Sequence, residues 1–202
     1  MSVNVLPPPR RITASNLPLP SQQATNENAE PGVEVRVDIL ENAEIPGSNG
    51  VLCRARVATE GKIPTSNDGH GEIALHDVPG AGIVLPGGAN IYYIDVAPNV
   101  EGTMHRTTST DYLVVISGTL TLLTPAPKPF SIKDGKPTYG EPVATELRAG
   151  DVVAQRGIAH ALSNRTNEWV RVWGIVLDAE TNKVPVDGAG GVKELEDAWY
   201  AS

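Results

Sequence analysis

Two stretches of the sequence decide the predicted fold: HRTTSTDYLVVISGTLTLL (residues 105–123) and GDVVAQRGIAHALSN (residues 150–164). Both contain β-branched and aliphatic runs interrupted by glycine, a pattern typical of short strands joined by tight turns. We interpret Ser117-Gly118 as a hairpin turn and Gly150-Asp151 as a tight turn between two strands. A third run, WVRVWGIVLDA (169–179), predicts a final apolar strand.

The composition extends this β prediction to the rest of the chain. The 202 residues include 20 glycines and 17 prolines, and neither residue favours the interior of a helix. An ordinary helical bundle is therefore excluded, and an antiparallel sandwich or barrel is favoured. Additional strands are predicted at residues 33–40, 51–59, 72–78 and 90–98.

The two ends of the chain depart from the β pattern. Residues 1–32 are proline-rich and have too few apolar residues for a core of their own, which predicts an extended arm. Near the C-terminus, Val192, Leu195 and Trp199 recur at i, i+3 and i+7, which predicts an amphipathic helix over residues 191–202. The β domain is thus expected to occupy residues 33–190.

Charge and cysteine content limit the partners and the compartment. The formal net charge is −8 with no compensating basic cluster, so neither nucleic acid nor an anionic membrane surface is an expected partner. Cys53 is the only cysteine, which excludes an internal disulfide framework and favours a reducing compartment. No run of residues is long and apolar enough to span a bilayer. We expect a cytoplasmic protein that acts on a small molecule.

Three residues beside the predicted strands carry the chemistry. His105 and His160 each adjoin a strand, and Asp111 follows His105 by six residues. Two imidazoles and one carboxylate are the donor set of a facial metal site with open positions. Without a metal, an Asp–His pair in an apolar barrel would have shifted pKa values and could move a proton.

The first of the two stretches resembles the first motif of the cupin superfamily. That motif runs HxH, three or four residues, Glu, six residues, Gly. Its places are taken here by His105, Thr107, Asp111 and Gly118.

The second stretch resembles the second cupin motif, which runs Gly-Asp, a short strand, GxxH and a following Asn. Those places are taken by Gly150, Asp151, Gly157, His160 and Asn164, with one residue fewer than usual between the glycines. The segments HRT…DY and GDVVxQRG are also similar to a subgroup of small single-domain cupins.

The resemblance implies an all-β double-stranded jelly-roll barrel, often dimeric, with the motif residues around a central pocket. Metal-binding cupins use three His and one Glu, whereas this chain has Thr107 and Asp111 at two of those places. The ligand set that remains is His105, Asp111 and His160, for a divalent metal such as iron, manganese, zinc or nickel. A metal-free pocket is an equally open expectation.

Other residues are candidates for contact with the substrate. Tyr92 and Tyr93 alternate in direction on one predicted strand, so one of them should face the pocket, and we take Tyr93. Trp173 on the last strand and Thr107 in the first motif are further candidates. Gln155 or its neighbour Arg156 should point inward as a polar contact, and we take Gln155.

These features lead to three functional hypotheses. The first is an enzyme of lyase or isomerase type that dehydrates, decarboxylates or enolises an oxygenated aromatic or polyketide-like carbonyl compound, with His105, Asp111 and His160 as catalytic residues. The second is an iron-dependent dioxygenase that uses those residues as ligands. The third is a non-catalytic cupin that binds a small molecule. The resemblance also implies a homodimer.

Overall fold

The structure is a computed structural model that describes residues 3–23, 25–133, 136–188 and 190–200. It confirms the all-β prediction, because the only regular helix in these ranges is one 3-10 turn at Ser21–Gln23. The strands in chain order are β1 (Arg10–Asn16), β2 (Val33–Ile39), β3 (Ala43–Glu44), β4 (Leu52–Glu60), β5 (Ala89–Val96), β6 (His105–Arg106), β7 (Ser109–Ser117), β8 (Thr119–Thr124), β9 (Ile132–Lys133), β10 (Lys136–Pro137), β11 (Val143–Arg148), β12 (Val152–Arg156), β13 (Ala161–Ser163), β14 (Val170–Asp178), β15 (Asn182–Val186), β16 (Gly191–Leu195) and β17 (Ala198–Trp199).

Two antiparallel sheets enclose the core as a jelly-roll barrel. One sheet has the strand order β12-β7-β14-β5-β4-β3, and the other has the order β11-β8-β13. Side chains from both sheets meet in one apolar cluster that consists of Val96, Leu113, Val115, Leu120, Leu122, Leu147, Val170 and Val172. Burial of these side chains is the main stabilising contribution to the barrel.

The chain passes from one sheet to the other at the glycines of the two quoted stretches. The predicted hairpin at Ser117-Gly118 is wrong, because β7 is already paired on both edges by β12 and β14 while β8 pairs with β11 and β13. Gly118 has a φ of +78°, and a Cβ there would lie 2.9 Å from Cγ2 of Val170. The predicted turn at Gly150-Asp151 is confirmed between β11 and β12.

Strands β2, β4, β5 and β14 confirm four of the remaining strand predictions, but the strand predicted at residues 72–78 is wrong. The backbone of this segment bonds to side chains instead of to a neighbouring strand. Arg56 donates to the carbonyl oxygen of His76, and the hydroxyl of Thr59 accepts a hydrogen bond from the His76 amide at 2.7 Å. Its polar backbone is satisfied without a ladder.

The C-terminal helix predicted at residues 191–202 is also wrong in the described part of that segment. Val192 lies in β16, which pairs with β15, and Trp199 lies in β17, which pairs with β6. Backbone pairing with other strands overrides the helical spacing of three apolar residues. No helix in the described ranges is long and apolar enough to cross a membrane.

The predicted N-terminal arm contributes a strand. Residues Arg10–Asn16 of β1 pair along their whole length with Val33–Ile39 of β2, so the segment joins the first strand of the predicted domain in one hairpin. Nearer the N-terminus, the carbonyl oxygen of Pro7 accepts a hydrogen bond from Arg171 at 2.7 Å. The arm therefore lies against the barrel at these two places.

Candidate active site

Two imidazoles face each other at one end of the barrel. His105 and His160 form an isolated antiparallel bridge in which each backbone N–H donates to the other residue's carbonyl oxygen, at 2.9 and 2.8 Å. Directly opposite residues in an antiparallel pair point to the same side. The two rings accordingly lie with their centroids 4.5 Å apart at an angle of 50°.

Backbone carbonyl groups fix the protonation pattern of both rings. Nδ1 of His105 lies 2.9 Å from the carbonyl oxygen of Thr103, and Nδ1 of His160 lies 3.1 Å from that of Ile158. A carbonyl oxygen only accepts, so each Nδ1 must carry the proton and donate. In the neutral ring the Nε2 lone pair is then free to act as a base or a ligand.

Burial disfavours the charged form of both imidazoles. Desolvation is the largest cause that lowers the pKa of His105, and the neighbouring His160 lowers it further. Desolvation also lowers the pKa of His160, which is almost completely buried. The neutral, proton-accepting form of each ring is therefore favoured more than in an ordinary histidine.

A second cross-strand pair adds a carboxyl and an amide to the site. Asp111 on β7 lies directly opposite Gln155 on β12, and both side chains are buried. Desolvation is the largest influence on the pKa of Asp111 and raises it. The hydrogen bond with the Ser109 hydroxyl and the nearby His105 lower this pKa, but by less. Oδ1 of Asp111 and both amide atoms of Gln155 are buried without a hydrogen-bond partner among the described residues.

A cavity of about 450 Å³ brings these four residues together. Thr107 also lines the cavity. The rest of the wall is largely apolar and includes Ile94, Val96, Leu113 and Leu162. The hydroxyl of Thr107 is engaged with that of Ser109 at 2.9 Å. The sequence-predicted His105, Thr107, Asp111, Gln155 and His160 therefore share one cavity.

The structure does not bring Tyr93 and Trp173 into this cavity. They are register partners on β5 and β14, and so they share a face of the sheet. Successive residues of a strand point to opposite faces, and the cavity is lined by Tyr92, the neighbour of Tyr93. The sequence alternation was correct, but the choice of Tyr93 over Tyr92 was wrong.

Two lining residues were missed at the level of sequence. Arg54 on β4 reaches the cavity and lies over the ring of Tyr92, with Cζ 4.8 Å from the ring centroid. Trp199 on β17 stacks on His105 from the side of the C-terminal segment. The alternation of β4 could have suggested Arg54, whereas no local signal connects Trp199 to a histidine 94 positions earlier.

The donor set fits the predicted metal only in part. The two Nε2 atoms match the imidazole donors of a transition metal, and their Nδ1–H groups are oriented as in metal-bound histidines. Within the described residues, however, no three His, Cys, Asp or Glu side chains are close enough to hold a metal ion together. Asp111 therefore does not complete a three-ligand cluster with the histidine pair, and we derive no chemical step through a metal.

Comparison with known proteins finds a relative with a cupin domain. No protein-family model matches the chain. It is 28% identical over 160 residues to the cupin-domain-containing oxidoreductase virC of Hypocrea virens, with 77% of this chain and 74% of that protein covered. The chain is thus similar to a cupin-domain protein over most of its length.

Other similarities are more local or more distant. The chain is 36% identical over 115 residues to phomopsin biosynthesis cluster protein D of Diaporthe leptostromiformis, and the match covers 56% of this chain. The match spans about half the length of that relative, 53%. A solved cupin 2 conserved barrel domain protein from Salinispora arenicola aligns with a TM-score of 0.40 and 20% identity, covering 68% of this chain and 82% of the other chain.

Proposed function

We propose that this protein is a cupin and a small-molecule enzyme of secondary metabolism that performs acid–base chemistry of the lyase or isomerase type. Its substrate is an oxygenated aromatic or polyketide-like carbonyl compound, which it dehydrates, decarboxylates or enolises. The observation that carries the proposal is the pair of facing imidazoles, His160 buried and His105 half-buried, whose Nε2 atoms are left free by the Nδ1 hydrogen bonds beside a largely apolar cavity. A neutral imidazole with a lowered pKa is a competent general base at neutral pH.

The pair can divide the work of base and acid. Nε2 of one imidazole removes a proton from the carbon next to the substrate carbonyl, and the C–H electron pair moves to form an enolate. The resulting imidazolium can return its proton to another carbon, which is isomerisation, or to a β-hydroxyl group that leaves as water. The second imidazole, 4.5 Å away between centroids, accepts or relays that proton.

The comparisons support the setting of the proposal. One relative is named as a protein of the phomopsin biosynthesis cluster, and the match covers 56% of this chain. Another is named as a cupin-domain-containing oxidoreductase. A role in building a secondary metabolite accounts for the name of the first relative. The largely apolar cavity suits an aromatic or polyketide-like skeleton.

A second candidate function is a metal-dependent dioxygenase in which His105 and His160 would hold iron, while Asp111, the third ligand expected from the sequence, lies in the same cavity outside their cluster. The two free Nε2 atoms and the oxidoreductase name of one relative favour it. The metal would supply dioxygen chemistry. A third candidate, a non-catalytic binding protein, uses the same cavity without turnover.

Proton exchange tests the proposal without a known substrate. We expect the protein to catalyse exchange of the α-protons of phenylacetone for deuterium in D₂O, followed by proton NMR, and to keep doing so after treatment with EDTA. His105→Ala and His160→Ala should each lower the rate at least about 100-fold. The control His70→Ala removes an exposed histidine in a turn-rich loop and should leave the rate unchanged.

The outcomes separate the three candidates. Exchange that stops with EDTA and returns with ferrous iron supports the dioxygenase candidate. Binding of phenylacetone without exchange in the wild type supports the binding protein. If the wild type exchanges protons but both alanine variants do so equally well, the histidine pair is not the base and the proposed mechanism is wrong.

A further inference from the structure

Arg54 places a positive charge in the wall of the cavity. The residue lies on β4 and is half-buried, and its guanidinium sits over the face of the Tyr92 ring at 4.8 Å. Desolvation lowers the pKa of Arg54, but a guanidinium stays protonated in proteins at all ordinary pH values. The cavity therefore contains a permanent cation in a wall that also carries the histidine pair, Asp111 and Gln155.

Within the part of the chain that the structure describes, Arg54 forms no ion pair with a carboxylate. The ion pairs found in the described part of the chain involve Arg11, Arg36, Arg148, Arg165 and Arg171, and none involves Arg54. Its Nε atom is buried and has no hydrogen-bond partner among the same residues. A desolvated cation without a counter-charge lowers the stability of the folded protein. We therefore expect the Arg54 charge to have a function.

The loop at residues 80–83 holds the guanidinium in place. Nη1 of Arg54 donates to the carbonyl oxygens of Gly82 at 2.6 Å and Ala81 at 3.3 Å. A Cβ at position 82 would lie 2.6 Å from that same Nη1, and the φ of +69° also favours glycine there. The side chain is thus oriented by neutral backbone groups, which leave its full charge available to a ligand.

Gln155 supplies complementary polar groups in the same cavity. The residue is only 2% exposed, yet neither atom of its amide has a hydrogen-bond partner in the described ranges. Leaving such a group buried and unpaired destabilises the folded protein. An amide that can donate and accept fits a ligand carrying a hydroxyl or carbonyl group.

We propose that the substrate of this site carries a carboxylate, which binds Arg54, and a neighbouring oxygen, which binds Gln155. The inference rests on the proposed function, because it names the class of carbonyl compound on which the histidine pair acts: a 2-oxo or 3-oxo acid. Guanidinium and carboxylate match as a charge-assisted, two-pronged pair. Because the net charge of the chain is −8, attraction of an anion depends on this local cation.

Two probes of nearly equal shape test the inference. Phenylpyruvate carries the carboxylate, whereas phenylacetone has a methyl group in its place. Isothermal titration calorimetry should show that the wild type binds phenylpyruvate at least about tenfold more tightly. Arg54→Gln should abolish that preference. Arg54→Lys should retain part of it, because lysine keeps the positive charge but lacks the paired N–H donors of the guanidinium.

A matched control comes from the same strand. Arg56 lies two residues further along β4, outside the cavity, and donates to the carbonyl oxygen of His76. Arg56→Gln removes one positive charge at nearly the same place, so it should leave the preference for phenylpyruvate intact. The comparison of the two probes on the wild type needs no substitution, and it stands even if an Arg54 variant does not fold.

The outcomes distinguish this inference from the proposed function. Equal affinity of the wild type for the two probes, including no binding of either at millimolar concentration, would overturn the inference. So would a preference that survives in folded Arg54→Gln. A preference for phenylpyruvate that persists in His160→Ala, together with no proton exchange by the wild type, would retain the carboxylate site and refute the acid–base function.

Discussion

The rings of His105 and Trp199 are stacked, with centroids 4.4 Å apart and planes at 9° to each other. The contact follows from the pairing of β17 with β6, in which these two residues are direct partners. The side chain of Asp197 also accepts a hydrogen bond from the Thr108 hydroxyl at 2.7 Å. The C-terminal segment thereby covers one side of the candidate catalytic pair, with the outer face of Trp199 in solvent.

Removing this cover should change the titration of His105. Burial is the largest cause of its lowered pKa, so Trp199→Ala should admit water and raise the pKa toward its ordinary value. Trp199→Phe keeps an aromatic ring on the imidazole and should raise it less. Titration of the His105 ring protons by NMR measures both, and an unchanged pKa in Trp199→Ala would mean that the stack does not exclude water.

The buried carboxyl of Asp111 should cost stability at neutral pH. The pKa of Asp111 is raised in the folded protein. Above pH 3.8, its ordinary pKa, the folded protein therefore binds more protons at Asp111 than the unfolded chain does. The contribution of Asp111 to the free energy of unfolding consequently falls as the pH rises. Asp111→Asn removes the ionisation and should be more stable at pH 7, by on the order of 1 kcal/mol. The advantage should vanish in acid.

Urea unfolding at several pH values checks this expectation. A wild type that is more stable than Asp111→Asn at pH 7, or a difference that does not depend on pH, would show that the carboxylate is compensated in the folded protein. A more stable variant that exchanges protons more slowly would indicate a carboxyl kept for function.

The ion pair between Asp95 and Arg171 should be essential for folding. Asp95 is fully buried, and its two oxygens lie 2.6 and 2.7 Å from Nε and Nη2 of Arg171. Asp95→Asn would leave a buried guanidinium uncompensated and should lower the free energy of unfolding by about 3–5 kcal/mol.

An exposed pair provides the control. Glu146→Gln removes the partner of Arg148 at the surface, where an ion pair contributes about 0–1 kcal/mol. Chemical denaturation of both variants measures how much each substitution lowers the free energy of unfolding. Equal losses would mean that burial does not determine the strength of the Asp95 pair.

Gly118 should tolerate alanine less well than another glycine with the same backbone conformation. Gly118 and Gly140 have φ values of +78° and +76°. A Cβ at Gly118 would lie 2.9 Å from Cγ2 of Val170 and 3.0 Å from the carbonyl oxygen of Trp169, whereas a Cβ at Gly140 meets nothing within 4 Å. Both substitutions carry a backbone cost of about 1–2 kcal/mol.

Gly118→Ala should therefore cost about 2 kcal/mol more than Gly140→Ala, because of overpacking at the crossing between the sheets. Thermal unfolding of the two variants measures the difference. Similar melting temperatures would show that the close approach relaxes without cost.

The homodimer expected from the family resemblance should form through the β1–β2 hairpin. Ile12 and Val37 are cross-strand partners, and with Val35 they form an exposed apolar face. Such a face is unusual on a monomer. Light scattering should give a dimeric mass for the wild type and a monomeric mass for Val37→Lys.

Val184→Lys, on the separate β15–β16 hairpin, is the matched control because Val184 is also an exposed strand valine. It should leave the mass unchanged. A monomeric wild type, or a dimer that survives Val37→Lys, would refute an interface at the β1–β2 face.

Much of the barrel could be predicted from local pattern. The alternation and the β-branched residues of two runs predict strands, and these runs form β7 and β14. Such residues pack well on the half-buried surface of a sheet. The glycines at 118 and 150 mark real direction changes. The resemblance to the two cupin motifs singled out His105, Asp111 and His160, and the choice between the neighbours Gln155 and Arg156 added Gln155; all four residues share one cavity.

The errors have a common physical origin. Alternation shows that Tyr92 and Tyr93 point to opposite faces, but not which face the second sheet covers. Apolar spacing in the last residues allowed a helix, because the strand that pairs with Trp199 lies far away in the chain. The hairpin at Ser117-Gly118 was wrong because both edges of β7 are taken by β12 and β14.

Local sequence patterns predicted an all-β barrel, the changes of direction marked by glycine and the residue types available for chemistry, since these depend on local conformation and on the period of the strands. Long-range packing brings His105 against His160, places Arg54 in their cavity with no ion-pair partner among the described residues and sets Trp199 over the pair. Those relationships depend on long-range backbone pairing, whose register follows from how the whole core packs and not from any one segment.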